Sequence, residues 1–253
     1  MAKRLLRWTL AVAAAGFAAC GYVYLALPDV RPLKTKNPET TAFMELRARE
    51  AVKAGKQPRR VRYWVPYERI SPSLKRAVLV AEDAAFFSHE GIDFDEMQKS
   101  LETDWKKGKL SRGGSTFTQQ LAKNLYLSPS KNPIRKAEEF LIARRLEAEL
   151  SKRRILELYL NLIEWGDGIY GAEAAARTYF RTSAAALGPD ESALLAASII
   201  NPRRFSPARP SKFLLQRQEL IRQRMGDVEP PAPSAPPAGP GGAGGPGGAG
   251  GTS

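Results

Sequence analysis

Two groups of residues in this chain have types and spacings that could do chemistry. The first is Glu82-Asp83, followed by Phe86, His89 and Gly91; the second runs unbroken from Gly113-Gly114-Ser115-Thr116 through Phe117-Thr118-Gln119-Gln120 to Leu121-Ala122-Lys123-Asn124. Glu82 follows the apolar run Ala77 to Ala81, so its carboxylate emerges partly desolvated and its pKa tends upward. The negative end of a helix dipole pushes the same way, which suits the group to accept a proton near neutral pH. The same acid could equally be a helix-end carboxylate paired with a basic neighbour. His89 is the only histidine. It has no Cys, Asp and Glu at metal-ligand spacing and no evident Ser-His-Asp set, so it reads as support for the turn at Gly91.

The second group offers an anion site. Gly113-Gly114 lets the backbone approach a ligand, and the helix that follows presents free N–H groups with a partial positive charge. Ser115, Thr116, Thr118, Gln119, Gln120 and Lys123 add donors. A plain glycine turn with a capping box at Thr116 and Gln119 is the alternative. No Gly-x-x-x-x-Gly-Lys-Ser/Thr loop is present, which disfavours nucleotide binding. A third group, Arg135-Lys136-Ala137-Glu138-Glu139, puts Arg135 and Glu139 one helical turn apart, with Glu139 on the stripe of Ile142 and Leu146. That inward carboxylate is either a structural ion pair or a second active-site acid.

Helices must position these groups. Ser71-Pro72 is an N-cap and first-turn proline, and Leu74, Ala77, Val78 and Ala81 recur at helical spacing toward Glu82. Further helices are predicted from Ser115 or Thr116 to Tyr126, Pro133 to Asn161, Gly171 to Phe180, Pro189 to Ile200 and Ser211 to Met225. Strand patterns are scarce, so the fold class is mostly α.

The 253 residues divide into a basic tail at 1–9, an apolar run at 10–27, a linker and approach segment at 28–70, one domain at 71–225 and a Pro/Gly-rich tail at 226–253. That last tail is too poor in large apolar residues to offset chain entropy and is expected to be disordered. Lys3, Arg4 and Arg7 precede a run just long enough to cross a bilayer, so an uncleaved anchor with a cytoplasmic N-terminus is expected. A cleaved signal peptide and lipidation at Cys20 are the rivals. The single cysteine excludes a disulfide framework and a cysteine metal site. The net charge of +13 calls for a polyanion, and an extracytoplasmic domain makes that anionic lipid rather than nucleic acid.

Taken together, these groups resemble the peptidoglycan glycosyltransferase family, the lipid II polymerases of class A penicillin-binding proteins and of monofunctional transglycosylases. The pattern Glu-Asp-x-x-Phe-x-x-His-x-Gly is Glu82 to Gly91, Gly-Gly-Ser-x-x-x-Gln-Gln-x-x-Lys-Asn is Gly113 to Asn124, and Arg-Lys-x-x-Glu is Arg135, Lys136 and Glu139. Two more follow in Lys152 to Asn161 and Gly168 to Phe180. Phe117 stands where the family more often has an aliphatic residue.

The resemblance implies a lysozyme-like catalytic lobe beside a small membrane-proximal lobe, with Glu82 and Glu139 as catalytic acids. Glu82 would deprotonate the GlcNAc 4-hydroxyl of lipid II, which attacks the lipid-linked chain with inversion and release of undecaprenyl pyrophosphate. Ser115, Thr118, Gln119, Gln120, Lys123, Asn124, Arg135 and Lys136 would bind substrate and pyrophosphate. Asp83, Phe86, His89, Gly91, Gly113 and Gly114 would support the site. No metal site is read from the residues, though Mg or Mn could assist the pyrophosphate. The implied partners are lipid II, undecaprenyl-linked glycan, the bilayer and other cell-wall synthesis proteins, at the bacterial inner membrane. The only Ser-x-x-Lys, Ser128 to Lys131, falls inside the transferase region, so no transpeptidase step is expected. A muramidase or lytic transglycosylase and a cationic envelope scaffold are the competing readings.

Overall fold

The computed structural model describes residues 2–89, 115–128 and 132–231, apart from some side chains of the first helix. Gly91, Gly113 and Gly114 lie outside the described residues. The described chain is mostly helical: α1 Ala2–Ala26, α2 Ala42–Lys53, α3 Pro72–Glu82, α4 Phe117–Tyr126, α5 Pro133–Glu149, α6 Lys152–Leu162, α7 Ala172–Phe180, α8 Pro189–Ser198 and α9 Lys212–Arg224. Three short strands, β1 Val61–Arg62, β2 Glu164–Gly166 and β3 Ile169–Tyr170, form a sheet in the order β1-β3-β2. β1 runs parallel to β3, with Val61 opposite Ile169, and β2 runs antiparallel to it.

The caps explain where the helices begin. The hydroxyls of Ser71, Thr116, Ser151 and Ser211 each accept an N–H of the first turn that would otherwise have no partner. Ser151 also corrects one expectation. The helix predicted from Pro133 to Asn161 is two helices, because Leu150 turns extended (φ −116°, ψ 145°) to bury its side chain while Ser151 caps α6. The apolar stripe continues across the break, so periodicity did not reveal it.

α3 is central to the core: it packs against α8, with α9 alongside, and Leu74, Ala77, Val78 and Leu79 are fully covered. α4 packs between α5, α6 and α2. Each Leu or Ile so buried contributes roughly 1.5–3 kcal/mol, so these contacts anchor α3 and α4 in the core. The region expected as a linker is laid against this core, with Val30, Leu33, Met44, Tyr67 and Ile70 buried. Asn161 of α6 ties it down through both backbone groups of Val65, each at 2.9 Å. The beginning of the tail is likewise placed: Val228 packs on the core, and the Tyr67 hydroxyl donates to the Pro231 carbonyl at 3.2 Å.

α1 is 25 residues long and coincides with the apolar run expected as an anchor. Among the described residues no helix is long and apolar enough to cross a membrane. The end of α1 is fastened to α5 by Arg145, whose guanidinium donates to the carbonyls of Leu27 at 3.1 Å and Pro28 at 3.5 Å.

Candidate active site

Glu82 ends α3, where the core covers the helix and only 13% of the side chain is exposed. Burial pushes its carboxyl pKa up; the Gln120 hydrogen bond, Arg217 and Lys123 oppose that shift without cancelling it. Oε2 accepts from Gln120 Nε2 at 3.0 Å, and Oε1 faces Arg217 Nη2 at 3.7 Å. Arg217 in turn donates to the Ala81 carbonyl at 3.1 Å. The result is a desolvated, pinned carboxylate whose affinity for a proton is raised.

Asp83 does different work one residue later. Its Oδ2 accepts the Phe117 N–H, the first of α4, at 3.0 Å, and its Oδ1 meets His89 Nε2 at 3.0 Å. A carboxylate at a helix N-terminus suits the dipole and one of its orphan donors. Burial raises the Asp83 pKa too, against the pull of His89 and Phe117. His89 is held further by Lys152, whose ammonium donates to the His89 carbonyl and to Glu147 Oε1 at 3.0 Å. Phe86 stacks edge-on against Phe117 at 5.1 Å, and Phe117 against Tyr159 at 4.5 Å. Asp83, Phe86 and His89 thus fasten α3 to α4 and α6. The aromatic Phe117 joins that stack.

The basic residues gather at the start of α5. Glu139 is 3% exposed and spends both oxygens on cations, Oε2 on Arg135 Nη1 at 2.6 Å and Oε1 on the Lys136 ammonium. Lys136 also reaches Ser115 Oγ at 3.2 Å and Gln119 Oε1 at 3.5 Å. Lys123, one turn along α4 from Gln119, has its pKa lowered by burial, with Glu139 raising it and Lys136 and Arg135 lowering it further. Glu82 raises it as well, so Lys123 feels the charge of both acids. Thr118 donates to Glu147, away from this cluster, and the Asn124 side chain donates to the Gln120 carbonyl at 2.8 Å. The structure therefore brings Glu82, Ser115, Gln119, Gln120, Lys123, Arg135, Lys136 and Glu139 together. It gives Thr118 and Asn124 partners within the protein.

Residues 49–226 match the family model described as Transglycosylase. The chain belongs to the transglycosylase family. As a member it is an enzyme, a glycosyltransferase. It is 56% identical over 170 residues to a protein of Aromatoleum aromaticum named biosynthetic peptidoglycan transglycosylase, covering 67% of this chain and 74% of that one. A relative of the same name from an Azoarcus species is 47% identical over 232 residues, 90% of this chain and 99% of its own. A third, from Laribacter hongkongensis, is 50% identical over 199 residues, 78% of this chain and 87% of its own.

Two contributors to this candidate site were not singled out by sequence reasoning. Tyr159 stood in the fourth pattern without a role, yet its hydroxyl donates to Gln120 Oε1 at 2.9 Å. Arg217, within the helix predicted from Ser211 to Met225, carried no signal at all. Among the described residues no group of three or more His, Cys, Asp and Glu could hold a metal ion. Glu139 has both oxygens committed to cations and Glu82 one to an amide, so a divalent ion does not fit these acids as they stand.

Proposed function

We propose that the protein polymerises lipid II into peptidoglycan glycan strands. The observation that carries this reading is a buried carboxylate with a raised pKa, Glu82, coupled through Lys123 to a basic cluster arrayed on a second buried acid. A base alone would fit glycan hydrolysis as well; the adjoining cations are what a lipid-linked pyrophosphate leaving group requires. Glu82 takes the proton of the GlcNAc 4-hydroxyl as that oxygen attacks the anomeric carbon of the growing chain from the opposite face. The anomeric carbon–oxygen bond breaks with inversion, and the electron pair leaves on undecaprenyl pyrophosphate.

Lys123, Arg135 and Lys136 neutralise the developing charge, the kind of stabilisation that contributes several kcal/mol. Glu139 holds Arg135 and Lys136 in place to do so. Ser115 and Gln119, which share Lys136, complete that rim. The reading covers glycosyl transfer alone, without a transpeptidase step, and with no step routed through a metal ion.

The substrate's lipid calls for a bilayer, and we assign α1 as the single-pass anchor on the apolar sequence of residues 10–27, several of whose side chains lie outside those described. At 1.5 Å per residue its 25 residues extend about 37 Å, and Leu6, Trp8, Leu10, Phe17, Tyr22 and Leu25 are all exposed on it. Lys3, Arg4 and Arg7 keep the N-terminus cytoplasmic, so the domain is periplasmic at the inner membrane. The lysozyme-like lobe and the small membrane-facing lobe belong to the same proposal.

Incubation of the detergent-solubilised protein with purified lipid II, with and without a chelator, tests the reading. The wild type forms polymer, and Glu82→Gln loses turnover by about 10²–10⁴-fold, the usual contribution of a positioned base. Shortening of preformed glycan without polymer, or near-normal turnover in Glu82→Gln, would overturn it.

A further inference from the structure

Gln120 has the side-chain type of a substrate ligand, but both ends of its amide are committed inside the protein. Its Nε2 donates to Glu82 Oε2 at 3.0 Å and to the Ser115 carbonyl at 3.3 Å, and its Oε1 accepts from the Tyr159 hydroxyl at 2.9 Å. An amide can sit in either of two orientations related by a flip, and only its surroundings choose between them. Tyr159 makes the choice. Its residue is fully buried and its ring is clamped edge-on by Phe117 at 4.5 Å. Burial and the nearby Glu82 and Asp83 carboxylates hold its phenol pKa well above the ordinary value, so the group remains an O–H donor. A donor fixed at that point demands the carbonyl end of Gln120, which turns the NH2 end toward Glu82.

We infer that Tyr159 is a positioning residue for glycosyl transfer: through the Gln120 amide it fixes Glu82 Oε2 and leaves Oε1 as the proton-accepting atom. Oε1 instead faces the Arg217 guanidinium at 3.7 Å. The incoming hydroxyl gives its proton to Oε1 as its oxygen bonds to the anomeric carbon, and the bond from that carbon to the pyrophosphate oxygen breaks with the electron pair on the leaving group. Without the tyrosine hydroxyl, Oε1 of Gln120 loses its buried donor and the flipped amide becomes competitive. That form sets an amide oxygen against the carboxylate, so the base is disordered and its anion disfavoured. The inference rests on Glu82 being the base.

The test is the pH dependence of lipid II polymerisation by the wild type, Tyr159→Phe, Gln120→Ala, the double variant and Glu82→Gln, all as full chains. Removing one hydrogen bond between neutral groups predicts a kcat loss of up to about 10-fold in Tyr159→Phe, with KM within about 2-fold. The acid limb of the profile moves to higher pH in both single variants, because each removes support for the carboxylate form. The double variant is no slower than Gln120→Ala, since the tyrosine acts only through the amide. An unmoved acid limb in either single variant, or losses that multiply in the double variant, overturns the inference. Glu82→Gln separates the two failures: if it keeps turnover, the base assignment itself is wrong. A melting curve for each variant checks folding, and if Tyr159→Phe does not fold, the acid limb of Gln120→Ala decides alone.

Discussion

Asp83→Ala should loosen the joint between α3 and α4, and its cost can be worked from the geometry. The substitution strips the acceptor from the Phe117 N–H, which lies in a fully buried residue, and from His89 Nε2. Leaving one buried donor unsatisfied costs about 1–3 kcal/mol. Loss of a negative charge at the α4 N-terminus adds about 0.3–1 kcal/mol. Against this, the variant no longer desolvates a carboxylate, a cost visible in the upward shift of the Asp83 pKa from 3.8. The balance is a destabilisation of about 2 kcal/mol, or roughly 4–8 °C in Tm for a chain of this size. Asp83→Asn keeps an acceptor for Phe117 and should lose about half as much, on the order of 1 kcal/mol.

Because the folded-state pKa is raised, Asp83 stabilises most at low pH and contributes less as pH climbs from 3.8 through the folded value. The gap between wild type and Asp83→Ala therefore narrows with rising pH. Thermal unfolding in detergent across a pH series reads all three quantities. A Tm within about 1 °C of wild type for Asp83→Ala, far below the shift expected for such a loss, would refute the strut. So would a gap that widens with pH.

On the proposed mechanism Lys123→Met should cut polymerisation by about 10²–10³-fold, since it removes a charge that stabilises the leaving group. The same variant should unfold no lower than wild type at neutral pH, because burial already disfavours the ammonium; a matched activity assay and melting curve check both. Gly171→Ala should cost more than about 2 kcal/mol. Its φ of +84° is unsuited to a side chain, and a Cβ there would stand 2.7 Å from the Asn161 carbonyl oxygen; denaturant unfolding with an unchanged midpoint would contradict this.

Much of the site was legible because it is local. The placement of Glu82 at the end of an apolar helix, the caps at Ser71 and Thr116, and the i, i+3 and i, i+4 reach of Lys136 and Arg135 to Glu139 are all set by helical geometry over a few residues. Composition and the ordered patterns added the mostly helical class and the family. His89 as scaffold was likewise readable, by elimination of other chemistry, and its bond to Asp83 supplies the reason.

What the sequence could not carry is which side chains meet across long separations. Gln120 reaches Glu82 across 38 residues and Tyr159 across 39, and α9 brings Arg217 to Glu82 from the far end of the domain. Those meetings depend on how α3 lies against α4, α8 and α9, which is decided by core volume and ridge packing rather than by spacing along any one helix. The break at Leu150 was hidden for the same reason: the residue keeps its apolar period and leaves the helix only because a buried position is available to it. The sequence determined which groups are present and which face of each helix they occupy. Only the packing of those helices set the Glu82 carboxylate against an amide held by a tyrosine.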